Sequence, residues 1–164
     1  NSPELTWHIT NLNNYVNIKA GSAPDDEIKK GVILSSLGHG SGMLGLPGDF
    51  TAPSRFVRAA FYQATSPVWD NGFETVVQAF HILNNFDIPI GIQHQKTDIP
   101  KGMPSATQFT SATDQTAMRL YYRTAWNSNI RCIDLKKIDF RTVKYQSHPL
   151  DKVQEQPVEM ICIR

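Results

Sequence analysis

GHGSGMLGLPGDFTAPSRFVRAAFY, residues Gly38 to Tyr62, is a long glycine-rich loop that runs into an amphipathic helix opening with an arginine. Five glycines from Gly38 to Gly48 mark backbone that must turn sharply or pass close to another group, because glycine alone takes positive φ without steric cost. Pro47, Gly48 and Asp49 read as a turn. Thr51 reads as the N-cap of a helix over about Pro53 to Ala64, with Pro53 tolerated in the first turn, where its missing N–H would have been unpaired anyway. Phe56, Val57, Ala60, Phe61 and Ala64 give that helix a broad apolar face, and Ser66-Pro67 ends it. Arg55 then falls in the first turn, where the positive end of the helix dipole disfavours a cation. Something other than helix stability put it there.

Outward from this stretch, the N-terminal flank reads as a helix from Ser2-Pro3-Glu4 to about Asn17. Leu5, Ile9, Leu12 and Val16 recur at helical spacing. Gly21 to Lys30 is a polar connector, and Gly31 to Leu37 is a short apolar run that periodicity assigns neither to strand nor to helix. On the C-terminal side, Asn71 with Glu74 resembles a capping box. Phe73, Val76, Val77, Phe80, Leu83 and Asn84 trace one face of a helix to about Asn85. Ile88 to Ser105 is irregular. The period then changes to two, with strands expected over Thr107 to Thr113, Met118 to Trp126 and Ile130 to Leu135, joined by turns at Asp114-Gln115 and Asn127-Ser128-Asn129. A last strand is expected near Val158, Met160 and Cys162. Helices followed by hairpin-linked strands imply an α+β fold with an antiparallel meander.

The 164 residues are 40 % hydrophobic, enough for one domain with a core. A net charge of +1 with no basic run argues against a nucleic-acid partner, and no apolar run approaches the roughly 20 residues of a membrane span. Cys132 and Cys162 allow one disulfide without requiring it, which leaves the compartment open. Alternation places Cys132 where a strand would carry a small apolar side chain. The chain opens on Asn1 rather than methionine, so it is expected to be a processed chain or part of a longer protein.

Gly40 to Gly45 matches G-x-G-x-x-G in form. Pro47-Gly48 follows, however, where a dinucleotide site needs an opening helix, so the match reads as a structural loop. His8, His39, His81, His94 and His148 are scattered without metal-ligand spacing and read as surface or packing residues. Arg55 and Arg58 lie three apart on one helix face. The residues alone leave open whether they serve a site or pair with Asp49 or another surface acid. Asn1, by itself, is an ordinary turn or cap residue.

Three segments carry a resemblance: NSPELTWHITNLNNY at Asn1 to Tyr15, GLPGDFTAPSRFVRAAF at Gly45 to Phe61, and the strand block from Thr107 to Phe140 ending IRCIDLKKIDF. In order and spacing they resemble the C-terminal half of the choloylglycine hydrolase and penicillin V acylase family, the cysteine-dependent N-terminal-nucleophile hydrolases. The resemblance implies that residues 1–164 form the second half of a single hydrolase domain, with helices and part of one antiparallel sheet of a four-layer αββα sandwich. It implies hydrolysis of a linear amide in an N-acyl substrate, such as a conjugated bile salt, penicillin V or an acyl-homoserine lactone. No cofactor or metal is implied. The nucleophile would be a cysteine upstream of this chain, its own α-amino group acting as base. By residue-by-residue transfer, Asn1 corresponds to the oxyanion-stabilising asparagine and Arg55 to the arginine beside the nucleophile, while Arg58 is structural. The implied partners are the N-terminal half of the same enzyme, a small amide substrate and further copies in a homo-oligomer. A non-catalytic, ligand-binding or structural fragment of the same fold is the alternative reading.

Overall fold

The computed structural model describes residues 3–102, 106–152 and 155–163. The chain divides into two compact units, Asn1–Pro67 and Val68–Arg164. Within the described residues no helix is long and apolar enough to cross a membrane.

The first unit opens with α1, Leu5–Asn11, which tightens into a 3₁₀ turn over Leu12–Tyr15. The expected helix is therefore shorter than periodicity suggested. Its N-cap position is Glu4, without a side-chain cap, and the expected cap Ser2 lies outside the described residues. The connector expected after it holds a strand: β1, Asp26–Lys29, pairs antiparallel with β2, Val32–Leu34, with a register shift between Glu27 and Lys29. Of the undecided run Gly31 to Leu37, Val32–Leu34 is thus strand and the rest is not. Every residue of β1 and β2 is exposed, so burial gave the sequence no alternation to display.

Helix α2, Ala52–Thr65, stands where expected and ends at Ser66, whose extended backbone is what a following proline imposes. Of its apolar face, Val57 is buried to 2 % exposure and Phe56, Ala60 and Phe61 are half-buried, while Ala64 is exposed. The α1 side of this packing is supplied by His8, a packing histidine at 7 % exposure. Its ring stacks on Phe56 at 4.6 Å between centroids and 21° between planes. Leu12, Tyr15, Ile18, Leu46, Val57 and Phe61 line a small apolar cavity of about 200 Å³.

In the second unit α3, Gly72–Asn84, buries Val76 and Phe80. Phe73, expected on the same face, is 77 % exposed, and Asn84 is exposed too. The meander is present: β3, Phe109–Asp114, β4, Arg119–Thr124, and β5, Arg131–Asp134, form a three-stranded antiparallel sheet in the order β3-β4-β5. Register runs from Phe109 opposite Thr124 to Asp114 opposite Arg119, and from Arg119 opposite Asp134 to Tyr122 opposite Arg131. Asp114 Oδ1 accepts the Ala117 N–H at 2.8 Å to close the first turn, and Asn127 Oδ1 accepts the Asn129 N–H at 3.0 Å in the second.

Two further expectations fail in this unit. Residues 155–163 form no strand, because alternation states what a strand would bury without supplying a neighbour to pair with. Cys132 does not occupy a small apolar site: it and Cys162 are both exposed, free thiols. The segment after the sheet is instead fastened by polar contacts. Arg131 lies over the Tyr122 ring at 4.6 Å and pairs with Asp151, and the Ser128 amide donates to Gln156.

Candidate functional site

The glycine-rich loop earns two of its glycines by geometry. The Gly42 N–H donates to Gly21 O and its carbonyl accepts from the Lys19 N–H, both at 3.0 Å. A Cβ at Gly42 would stand 2.7 Å from Lys19 O and 2.9 Å from Gly21 O, so any other residue would push the strands of loop apart. Gly45 turns the chain at φ +94°. Gly42 is the middle residue of a 3₁₀ turn, Ser41–Met43, and no α-helix opens there. G-x-G-x-x-G here is loop architecture.

Beyond Gly45 the loop descends to Asp49 and meets the start of α2 in a dense polar network. Asp49 Oδ1 accepts the Thr51 N–H at 2.8 Å, and Asp49 Oδ2 accepts the Ser54 hydroxyl at 2.6 Å. Thr51 occupies the N-cap position but makes no side-chain cap bond; its hydroxyl donates to Ser54 Oγ at 3.1 Å. The hydrogen bonds from Ser54 above all, then from Thr51, hold the Asp49 carboxyl down to about 2. Asp49 is therefore an anion throughout the physiological range.

Arg58 reaches back across two helical turns to the same loop. One guanidinium nitrogen donates to Pro47 O and to Asp49 O, each at 2.7 Å, and the residue is only 4 % exposed. The Asp49 contact thus runs through its main-chain carbonyl, not the carboxylate pairing that spacing left open. Arg55, one turn earlier, is exposed, and the ion pairs among the described residues do not include it. Two arginines three residues apart consequently have different surroundings. The Arg58 guanidinium is buried on the loop's carbonyls, while the Arg55 guanidinium projects from a first turn whose backbone is fixed on both sides. Asn1 lies outside the described residues. The sequence reading offered Asp49 only as a possible ion-pair partner of the arginines, and the bond from Ser54 to its carboxylate escaped it. The available signal was Asp49 two residues before Thr51, a spacing typical of an aspartate that bonds the backbone ahead of a helix.

Among the described residues no group of three or more His, Cys, Asp or Glu side chains is placed to hold a metal ion. A separate cavity of about 800 Å³ lies in the second unit, lined by Trp69, Phe73, Val76, Arg119 and Tyr121 among others. It contains neither Arg55 nor any histidine.

The loop, the helix start and the strand block together match one family model: residues 1–150 fit the linear amide C-N hydrolases, choloylglycine hydrolase family. The chain belongs to the choloylglycine hydrolase family. It is 36 % identical over 151 residues to a bile salt hydrolase/transferase of Clostridium perfringens, covering 88 % of this chain and 44 % of the relative. Its structure is similar to that of a cysteine-to-alanine variant of the conjugated bile acid hydrolase from Clostridium perfringens. There the TM-score is 0.76 at 29 % identity, over 98 % of this chain and 47 % of the other. It is also similar to penicillin V acylase from Agrobacterium tumefaciens, with a TM-score of 0.57 at 25 % identity over 85 % and 36 % of the two chains. The α+β elements of this choloylglycine hydrolase-family chain are thus part of an N-terminal-nucleophile hydrolase sandwich. The chain spans less than half the length of these relatives.

Proposed function

We propose that this chain is the C-terminal half of an amidase domain that hydrolyses the linear amide of an N-acyl substrate. A conjugated bile salt is the first candidate and penicillin V the second, as the names of the relatives suggest. A cysteine at the mature N-terminus of the complete enzyme attacks the amide carbonyl, and its own amino group takes the thiol proton. The tetrahedral oxyanion accepts a hydrogen bond from the Asn1 side-chain amide. Arg55 stands beside the nucleophile, where its charge favours the thiolate. Collapse of the intermediate expels the amine, leaving a thioester that water then hydrolyses. None of these steps draws on a cofactor.

The observation that carries this reading is the division of labour on α2. Arg58 is engaged by the loop carbonyls, whereas Arg55 is exposed in a rigidly held first turn where helix electrostatics would not favour it. The thin interior supports the half-domain reading. Among the described residues the buried apolar side chains are Val57, Val76, Phe80 and Ala106, while Leu5, Ile33, Leu44, Phe73 and many others are exposed. Burying a few hundred Å² of such surface at about 25 cal/mol per Å² contributes several kcal/mol, comparable with the whole stability of a domain. The remaining half of the enzyme is the partner that would cover it, and assembly into a homo-oligomer would cover more.

In the complete enzyme, Arg55→Ala is expected to lower kcat about a hundredfold while leaving the melting temperature nearly unchanged. Asn1→Leu is expected to remove most turnover and leave substrate binding largely intact, because the donor matters most when charge develops on the carbonyl oxygen. N-terminal sequencing of the complete mature protein decides the rest: a first residue other than cysteine ends the catalytic reading and leaves the non-catalytic fragment. Produced alone, these residues should bind a hydrophobic dye and melt without a cooperative transition. A monodisperse monomer with a sharp melt would contradict the half-domain.

A further inference from the structure

We propose that Asp49 and Arg58 are positioning residues that hold Arg55 in place, an inference that rests on the role proposed for Arg55. The first turn of a helix is its least secure part, since its N–H groups have no partners within the helix, and here the N-cap side chain offers none. Yet Arg55 is bracketed. Immediately before it, the Ser54 hydroxyl is tied to Asp49 Oδ2. One turn after it, Arg58 is tied to the carbonyls of Pro47 and Asp49. The Arg55 N–H itself donates to Thr51 O at 3.0 Å, and the Thr51 N–H is held by Asp49 Oδ1. Apart from the bond from Arg55 to Thr51, these ties end on Pro47 and Asp49.

A network of this kind is more than a helix start requires. The usual device is a single N-cap side chain, which satisfies one of the free N–H groups. What the extra bonds add is definition of the Arg55 Cα relative to the loop on both sides of it. Displacement of a catalytic group by about 1 Å can cost about a hundredfold in rate, so a charge that must meet a thiolate benefits from such fixing. Asp49 suits the task because its carboxylate accepts at both oxygens. Arg58 suits it because its cation is buried against carbonyl oxygens and cannot swing away to solvent.

The test is a double-mutant cycle on turnover in the complete enzyme, with a conjugated bile salt and penicillin V as probes. Asp49→Asn, Ser54→Ala and Arg58→Lys are each made alone and together with Arg55→Ala. kcat and KM are measured well below the melting temperature of each variant. Asp49→Asn is expected to lower kcat about tenfold with little change in KM, Arg58→Lys somewhat less and Ser54→Ala a few-fold. None of the three should lower kcat further once Arg55 is alanine. Ser54→Ala keeps both charges and decides the matter if the other two fold poorly. If the variants change only the melting temperature, or cost the same factor with and without Arg55, positioning is overturned and the role of Arg55 stands. If Arg55→Ala alone leaves kcat unchanged, the role of Arg55 falls, and positioning falls with it.

Discussion

Helix α3 is started by its own sequence, since Asn71 Oδ1 accepts the Glu74 N–H three residues on at 2.9 Å. Helix α2 is started by a neighbouring loop. Its N-cap Thr51 makes no equivalent bond, and the helix start is instead tied to the loop by Asp49 from outside the helix and by Arg58 from two turns within it. The local cap draws on no residue outside the start of its own helix. The second arrangement makes the helix start and the loop one object, so that neither can move without the other. A helix that only packs has no use for that coupling, whereas a helix that presents Arg55 does. The comparison can be broken at either end.

The largest effect is expected at Arg58. Hydrogen bonds to a charged group contribute about 1.5 to 3 kcal/mol each. Arg58→Ala removes one donor from two buried-side carbonyls, and should destabilise the complete enzyme by about 3 kcal/mol in denaturant titration. Arg55→Ala should stay within about 0.5 kcal/mol, or stabilise slightly as a cation leaves the positive end of the helix. Equal losses from the two substitutions would remove the distinction between a structural and a functional arginine on this helix.

Acid comes next. The Asp49 pKa is lowered from its ordinary 3.8 to about 2 by the bonds it accepts from Ser54 and Thr51. A depressed carboxyl stabilises the folded state fully above its unfolded value, and that contribution fades as pH falls from about 4 through about 2. Asp49 is exposed and screened by water, so the effect is modest. The signature is its dependence on the network: Asp49→Asn should flatten part of the stability loss between pH 4 and pH 2 and leave the loss due to other carboxylates. If the acid limb of the Asp49→Asn protein overlays that of the unmodified enzyme, the carboxylate is not holding the helix start.

The contrast between the two helix starts also explains what could be read from the sequence. Asn71 and Glu74 sit three apart, and both their spacing and their bond are local, so the cap and the helix behind it were legible. So was the strand from Phe109 to Asp114, along which exposed and half-buried residues alternate. The β1–β2 hairpin was not, since Asp26 to Lys29 and Val32 to Leu34 are exposed on both faces and nothing forces their side chains to alternate. The residues from Val158 to Ile163 err in the opposite direction: they have the pattern of a strand, but pairing is decided by what lies alongside. Arg55 stood out through a local conflict, a cation at the wrong end of a helix. The tie from Arg58 to the loop did not, because its acceptors lie nine and eleven residues away, nor did the bond from Ser54 to Asp49, five residues apart. Separations of that size correspond to no periodicity. Among the described residues their role appears only once the loop has folded back on the helix.

The smallest effect sharpens the comparison from the other side. Asn71→Ala deletes the acceptor of the Glu74 N–H and should cost about 1 kcal/mol, the usual loss when an N-cap side chain is removed. Asn71 is exposed, and its bonds to Glu74 involve no other segment, so the loss should be confined to fraying at the start of α3. Hydrogen exchange would show this as faster exchange at the amides of Glu74 and Thr75, with the strand amides unchanged. Asn71→Asp, which keeps an oxygen acceptor and places a negative charge at the positive helix end, should restore most of the stability. Ser54→Ala, the closest counterpart on α2, should instead speed exchange on both sides of its bond, in the loop around Asp49 as well as in the first turn. Should Ser54→Ala affect α2 alone, as Asn71→Ala affects α3 alone, both helices would be locally capped. The coupling of loop and helix that distinguishes the Arg55 region would then be lost.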